Sequence, residues 1–280
     1  MAASERVVLI TGCSTGIGRE LVRAFAARGC RVVATARRPE ALVDLAGDRV
    51  RALRLDVTDA ASIRDAVADV LAVEGRVDVL MNNAGYGQFG PIAELSLDDL
   101  RRQLETNVVG ALAVAQAVAP SMIERRQGLI VNVGSVSGLV VTPFSGAYGA
   151  SKAALHAISD ALRLELSPFG IRVTTLQPGA VKSSFSSTAE ASIGGIDWST
   201  SRYAPVRAAI EGRARTAAQT GMTAEQFARE TVEVLMAAEP PLIDRRGPHA
   251  VKMVFLNLLP TKLRDKKLRA LFGLDSLNRR

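Results

Sequence analysis

The feature that most constrains this chain is an alternation. Short apolar runs at 7–10, 31–36, 50–56, 77–81, 129–133 and 171–177 read as strands. Helical patterns at 16–28, 59–74, 98–123 and 147–166 lie between them. A parallel pair of strands needs a crossover, and the crossover helix covers a face of the sheet. Such crossovers are right-handed, which leaves few topologies. The expectation is an α/β fold: a Rossmann-type doubly wound parallel sheet in a single domain over 1–247, with a helical C-terminal extension over 248–280. With 280 residues, 48% of them hydrophobic, the chain can bury the core this requires.

The rhythm changes after Pro178. Residues 183–202 are rich in Ser, Thr and Gly and show no clear period. A long irregular segment inside a compact domain is usually functional, so 183–222 is expected to cover a substrate site. Phe185, Ile193, Ile196 and Trp198 are candidates for an apolar wall there, with Trp198 equally readable as a mere anchor of the lid. Residues 223–237 read as a helix capped by Thr223. A fold of this kind calls for a seventh strand, but "PLIDRRG" at 241–247 is interrupted by Asp244, Arg245 and Arg246, and no strand is assigned there.

Composition excludes several functions. Cys13 and Cys30 form no CxxC pair and read as reduced thiols, with a redox pair as the lesser alternative. His156 and His249 are far apart, so neither a metal site nor a Ser-His-Asp triad is expected, and His156 is expected on a helix surface or packed. No apolar run reaches the roughly 18 residues of a membrane span, and no secretory signal is read at the N-terminus. A cytoplasmic protein is expected. The net charge is +7, but seven basic residues against two acidic place +5 within 260–280. The body is nearly neutral, which argues against nucleic acid.

The first candidate site is "LITGCSTGIG" at 9–18. A glycine at the strand end takes positive φ, another admits a pyrophosphate to the backbone, and the helix N-terminus offers free N–H groups. Gly12, Ser14, Thr15, Gly16, Ile17 and Gly18 would line a dinucleotide. After the second strand the chain reads Thr35-Ala36-Arg37-Arg38, with no carboxylate to accept ribose hydroxyls. Arg37 and Arg38 suit a 2′-phosphate, so NADP(H) is expected over NAD(H). The second site is "AYGASKAAL" at 147–155. Tyr148 and Lys152 share a helix face at i and i+4. A tyrosine near pKa 10 is a poor base at neutral pH, and a neighbouring Lys152 is expected to lower it.

The spacing TGxxxGIG resembles the glycine motif of the short-chain dehydrogenase/reductase family. Further motifs follow in order over about 6–182: Asn82-Asn83-Ala84-Gly85, Asn107 in "TNVVG", Ser135 in "VNVGSVSG", Tyr148 and Lys152, and Pro178-Gly179 in "QPGAV". The resemblance implies a role for each. Tyr148 would be the general acid/base. Lys152 would also bond the nicotinamide ribose. Ser135 would bond the substrate oxygen, and Asn107 would hold a water in a proton relay with Lys152. Asp56 and Val57 would meet the adenine. Asn83, Ala84 and Gly85 would line the cofactor, and Pro178, Gly179, Val181 and Ser183 its carboxamide end. The family commonly has Thr where this chain has Ser183. The context is most similar to the hydroxysteroid and retinol dehydrogenase branch, which implies a lipophilic small-molecule substrate. The helices at 98–123 and 147–166 would pair between subunits in a homodimer or homotetramer. A catalytically silent NADP(H)-binding regulatory or interaction protein is the alternative.

The tail carries a stripe. Val251, Val254, Phe255, Leu258 and Leu259 fall on one helix face, and a basic segment follows Pro260. The favoured reading is a helix packed on the core by this stripe. The alternative is a peripheral membrane contact through the basic segment.

Overall fold

The computed structural model describes residues 5–278; Arg279 and Arg280 of the basic tail lie outside the described residues. The first half runs β1 (Val7–Ile10), α1 (Gly16–Ala27), β2 (Arg31–Ala36), β3 (Val50–Arg54), α2 (Ala60–Glu74), β4 (Val79–Asn82), α3 (Leu97–Leu104) and α4 (Gly110–Arg125). It continues β5 (Gly128–Val133), α5 (Gly146–Leu166), β6 (Ile171–Leu176), β7 (Val181–Lys182), α6 (Phe185–Gly194) and α7 (Arg207–Thr220). Then come β8 (Met222–Thr223), α8 (Ala224–Leu235), β9 (Ile243–Asp244), α9 (Ala250–Leu258) and α10 (Thr261–Leu271).

Seven strands form one parallel sheet in the order β3-β2-β1-β4-β5-β6-β9. The strand order reverses between β1 and β4, and a crevice opens there beyond the carboxyl ends of the strands. One face of the sheet is covered by Leu21, Val22 and Phe25 of α1 with Phe227, Val232 and Leu235 of α8. The other is covered by Ile63, Val67 and Val70 of α2 with Val114, Val118 and Met122 of α4. Local chemistry sets the helix ends. Asp59 accepts from the N–H groups of Ala61 and Ser62 at the start of α2, and Gly75 closes it at φ +74°. Thr223 caps α8 as expected, accepting from the Gln226 N–H.

Four expectations need correction. The seventh strand exists: β9 pairs Ile243 with Thr175 and Asp244 with Leu176. It is a two-residue edge strand, and its polar residues are satisfied rather than disruptive. The Arg246 Nε donates to Asp244, and the Arg245 Nε to Gln177. The segment expected to be irregular contains α6, whose Ser- and Ala-rich sequence shows no apolar period. The predicted helix over 98–123 is interrupted by a π-helical turn, Glu105–Val109, that joins α3 to α4. The continuous helix from Leu97 to Arg125 has an 18-residue window of mean hydropathy 1.4, long and apolar enough by composition to cross a membrane. Its buried side chains pack on the sheet, so that apolarity serves the core.

The tail stripe is the fourth correction. Helix α9 turns Ala250, Met253 and Leu256 inward, whereas Val251, Phe255 and Leu258 are 67%, 65% and 74% exposed. The helix packs on a third apolar cluster, beyond the sheet, which includes Phe89, Val140, Phe144, Ile210, Leu268 and Phe272. Both cysteines are buried and free, and burial pushes the Cys13 thiol up to about 12, which leaves it inert.

Candidate active site

The crevice begins where β1 gives way to the glycine loop. Gly12 sits at φ +72°, and a Cβ there would lie 2.7 Å from the Ala84 Cα. Any side chain on Gly18 would overlap the Asn83 amide and the Gly12 carbonyl. The backbone therefore comes closer to its neighbours than a larger residue permits. Thr11 stitches the β1 and β4 loops together. Its Oγ1 accepts from the N–H groups of Asn83 (3.1 Å) and Ala84 (3.0 Å). The Asn83 Nδ2 in turn donates to the carbonyls of Thr11 and Gly12. Helix α1 starts at Gly16 with no side-chain cap and no acidic residue in its first turn. Its N–H groups are left for an anion.

A cavity of ≈ 880 Å³ runs from this loop to the third apolar cluster. Every expected cofactor residue but one lines it: Arg38 is off the wall, in the exposed start of a short 3₁₀ turn. Arg37 is on the wall. At the same end, burial acts to raise the Asp56 carboxyl. Hydrogen bonds from Thr58 and the fields of Arg37 and Arg54 outweigh it and hold the group below its ordinary range. Ser184 of the lid donates to the Thr15 hydroxyl at 2.6 Å, tying lid to glycine loop.

Ser135, Tyr148 and Lys152 also line the cavity. Burial raises the Tyr148 phenol above its ordinary value; a hydrogen bond with Ser135 and the charge of Arg213 oppose that shift. This corrects the expected electrostatics. The phenol is raised where a lowering was expected: burial outweighs the opposing influences, and the Lys152 Nζ, 5.9 Å from the ring centroid, donates to the Val133 carbonyl at 2.6 Å. Lys152 is 5% exposed, and burial pulls it down to about 8.

Asn107 stands behind the wall rather than on it. Its Nδ2 donates to the Tyr86 carbonyl and the Ser151 hydroxyl, and its Oδ1 accepts from the Tyr86 N–H at 3.1 Å. Ser151 donates to the Tyr148 carbonyl at 2.7 Å, so the π-turn braces the first turn of α5. Both amide hydrogens of Asn107 are engaged. A water relay could use only the remaining Oδ1 lone pair, which lies toward Gly85.

Three further residues shape the site. Thr11, the first residue of the TGxxxGIG motif, has been described; no sequence motif reveals the other two. His156 packs against Gly134 and Gly138, and its Nε2 accepts from the Ser135 N–H at 3.4 Å. Burial, reinforced by Lys152, drives its pKa down to about 4, so it supports the Ser135 loop as a neutral ring. Arg213 of α7 lines the cavity, lies 5.1 Å from the Phe89 ring centroid, and donates from Nε to the Thr142 hydroxyl at 2.8 Å.

Aromatic rings surround the phenol. The Tyr148 centroid lies 5.9 Å from Phe89 and 5.1 Å from Phe185. Phe144 holds φ +66°, an unfavourable conformation for a bulky residue, while packed edge-on against Tyr203 and Phe272. Phe185 lines the cavity as expected. Trp198 does not; it lies under the Arg207 guanidinium and anchors the lid.

The sequence model of the short chain dehydrogenase family matches residues 6–193. The chain belongs to the short-chain dehydrogenase/reductase family. This oxidoreductase is 34% identical to a short-chain dehydrogenase/reductase of Pestalotiopsis microspora over 278 residues, 98% of this chain and 97% of that one. It is 37% identical over 180 residues to the 3-ketodihydrosphingosine reductase of Bacteroides thetaiotaomicron, covering 64% of this chain and 65% of that protein. A solved short-chain dehydrogenase from Streptomyces avermitilis matches with a TM-score of 0.78 and 34% identity, covering 100% of this chain and 99% of that one. Similar structures hold either nicotinamide cofactor. A serine dehydrogenase complexed with NADP+ matches at 30% identity and TM-score 0.75, covering 86% of this chain and 94% of that one. A member from Burkholderia phymatum in complex with NAD matches at 27% and 0.79, covering 90% and 92%.

Proposed function

We propose that this oxidoreductase interconverts a lipophilic carbonyl and its alcohol with NADP(H), using Tyr148 as general acid/base. One observation carries the reading: Tyr148, Ser135 and Lys152 meet on the cavity wall where the glycine-loop crevice joins the apolar cluster. The bound cofactor supplies or accepts the hydride. The Ser135 hydroxyl donates to the substrate oxygen and stabilises the alkoxide as it develops. Tyr148 then gives that oxygen its proton. A phenol held above its ordinary pKa is fully protonated at neutral pH, which suits the reductive direction. Lys152, whose ammonium has only the Val133 carbonyl as acceptor among the described residues, presents its remaining N–H groups to the ribose hydroxyls. Asn107 keeps the helix turn that carries Tyr148 in place.

The NADP(H) preference is supported by Arg37 on the wall and by the lack of a carboxylate after β2; Arg38 supports it less, being off the wall. The lipophilic substrate is supported by the rings of Phe89 and Phe185. The name of the Bacteroides relative, 3-ketodihydrosphingosine reductase, agrees. The cytoplasmic placement, the split into a catalytic body to 247 and an extension beyond, and pairing of subunits through α4 and α5 belong to the same reading.

The test is a panel of lipophilic ketones and aldehydes, followed by NADPH absorbance. Wild type is expected to turn over at least one, and Tyr148→Phe to lose on the order of 10²–10⁴-fold in kcat. Equal turnover by the variant defeats the mechanism. No consumption with any carbonyl or alcohol, alongside tight NADPH binding, would favour the silent binding protein.

A further inference from the structure

The substrate half of the cavity sets aromatic and aliphatic groups beside hydroxyls such as Thr142 and Thr188, and its charged residues are of one sign. Asp56, at the adenosine end, is the only acidic residue on the wall among the described residues. Near Tyr148 the wall carries Arg213, and Lys252 also lines the cavity. Arg213 has no acidic partner among the described residues. Its Nε donates to Thr142, its guanidinium rests on Phe89, and its two terminal nitrogens have no acceptor among the described residues. Through Phe89 it lies within about 11 Å of the Tyr148 ring, close enough for its charge to act on the phenol. Arg213 is half-buried, and a guanidinium partly withdrawn from water without a counter-charge is destabilised until an anion arrives. Two free N–H-bearing nitrogens side by side match a carboxylate bidentately.

We infer that Arg213 is an anion subsite, and that the substrate is an amphipathic oxo or hydroxy acid. Its carbonyl or carbinol carbon lies at Tyr148, its aliphatic body along Phe89, and its carboxylate on the free edge of Arg213. This rests on the reading of the cavity as a site of carbonyl reduction and names the substrate class for it. Because Arg213 comes from the lid helix α7 and Thr142 from the loop before Tyr148, the acid would also bridge lid and floor. A substrate with an ammonium at that position meets repulsion.

The experiment uses the full chain with NADPH and a series of straight-chain oxo acids, the carbonyl-to-carboxylate spacing stepped one carbon at a time, each with its methyl ester. The quantity read is the acid-to-ester ratio of kcat/KM. A charge-assisted pair implies a ratio of roughly 10–100 at the best spacing. In Arg213→Met that ratio should collapse toward one, and Arg213→Lys should recover part of it. A ratio that is unchanged in Arg213→Met, or an ester preferred by wild type, overturns the inference. A second arm measures calorimetric binding of the matching saturated carboxylic acid, which has no carbonyl, to the NADPH-loaded protein. Binding that disappears in Arg213→Met supports the subsite even if no carbonyl is reduced, in which case the proposed activity fails and the subsite stands. Binding that is absent in wild type, or equal in the variant, overturns it.

Discussion

Arg37 and Asp56 face the adenosine end of the cavity with opposite charges, and their surroundings decide which one a cofactor meets. The Asp56 carboxylate already accepts from the Thr58 N–H and hydroxyl at 3.0 and 2.8 Å. Arg37 is exposed and can turn to a 2′-phosphate. Arg37→Glu should lower kcat/KM for NADPH on the order of 10-fold or more and reverse any preference over NADH, measured as the ratio of the two. Equal use of both cofactors by wild type removes the reading. Residues of this kind were legible in the sequence because they act through local backbone. Gly12 and Gly18 announce themselves because nothing larger fits. Tyr148 and Lys152 lie one turn apart. Arg213 and His156 gave no such sign. Each acts through a contact that only the fold creates: Arg213 on Thr142, and His156 on the Ser135 loop.

Elements were legible in proportion to their length and burial. Five of the first six strands betray themselves as buried apolar runs, and β3, half-buried, by the alternation of its apolar and basic residues. β9 is two residues at an edge, where polar side chains can face water while the backbone still pairs. α6 is hidden because Ser and Ala fill the positions where an apolar stripe would show. The π-turn leaves no periodic signature at all. The stripe on α9 was legible, but its direction was not, since amphipathicity gives a face and not its partner. α10 is the element whose role follows only from the structure. Leu268 and Phe272 reach back to the cavity wall, and Phe272 packs on Phe144, whose unfavourable backbone needs support. Phe272→Ala should cost about 3 kcal/mol of stability and raise KM for the carbonyl substrate while leaving NADPH affinity intact. Urea denaturation and NADPH titration separate the two effects. A KM equal to wild type would mean that α10 forms no part of the working pocket.

At the scale of the molecule, two surfaces remain. Leu97 and Leu164 are exposed, the first at the start of α3 and the second on α5, one of the helices that the family resemblance pairs between subunits. Val251, Phe255 and Leu258 on α9 are exposed beside the cations of α10, among them Lys262, Lys266 and Lys267. An apolar face flanked by lysines complements anionic lipid, where a lipophilic substrate would reside. Because α10 also builds the cavity, deleting it would confuse the two roles, and charge reversal is the sharper test. Lys262→Glu, Lys266→Glu and Lys267→Glu together should abolish co-sedimentation with phosphatidylserine vesicles while the sedimentation velocity of the free protein stays that of a dimer or tetramer. A changed mass would assign the basic face to a second copy of the chain. Undiminished vesicle binding would remove the lipid contact, and a monomeric wild type would remove the subunit pairing.

The placement of Leu268 and Phe272 sets an order in time. The glycine loop, the Asn83 loop and Tyr148 are translated well before α10, and domains form progressively as the chain emerges. During synthesis the nucleotide crevice can be complete while one wall of the carbonyl pocket has yet to be made. A nascent chain would thus gain the competence to hold its cofactor before it can enclose a substrate.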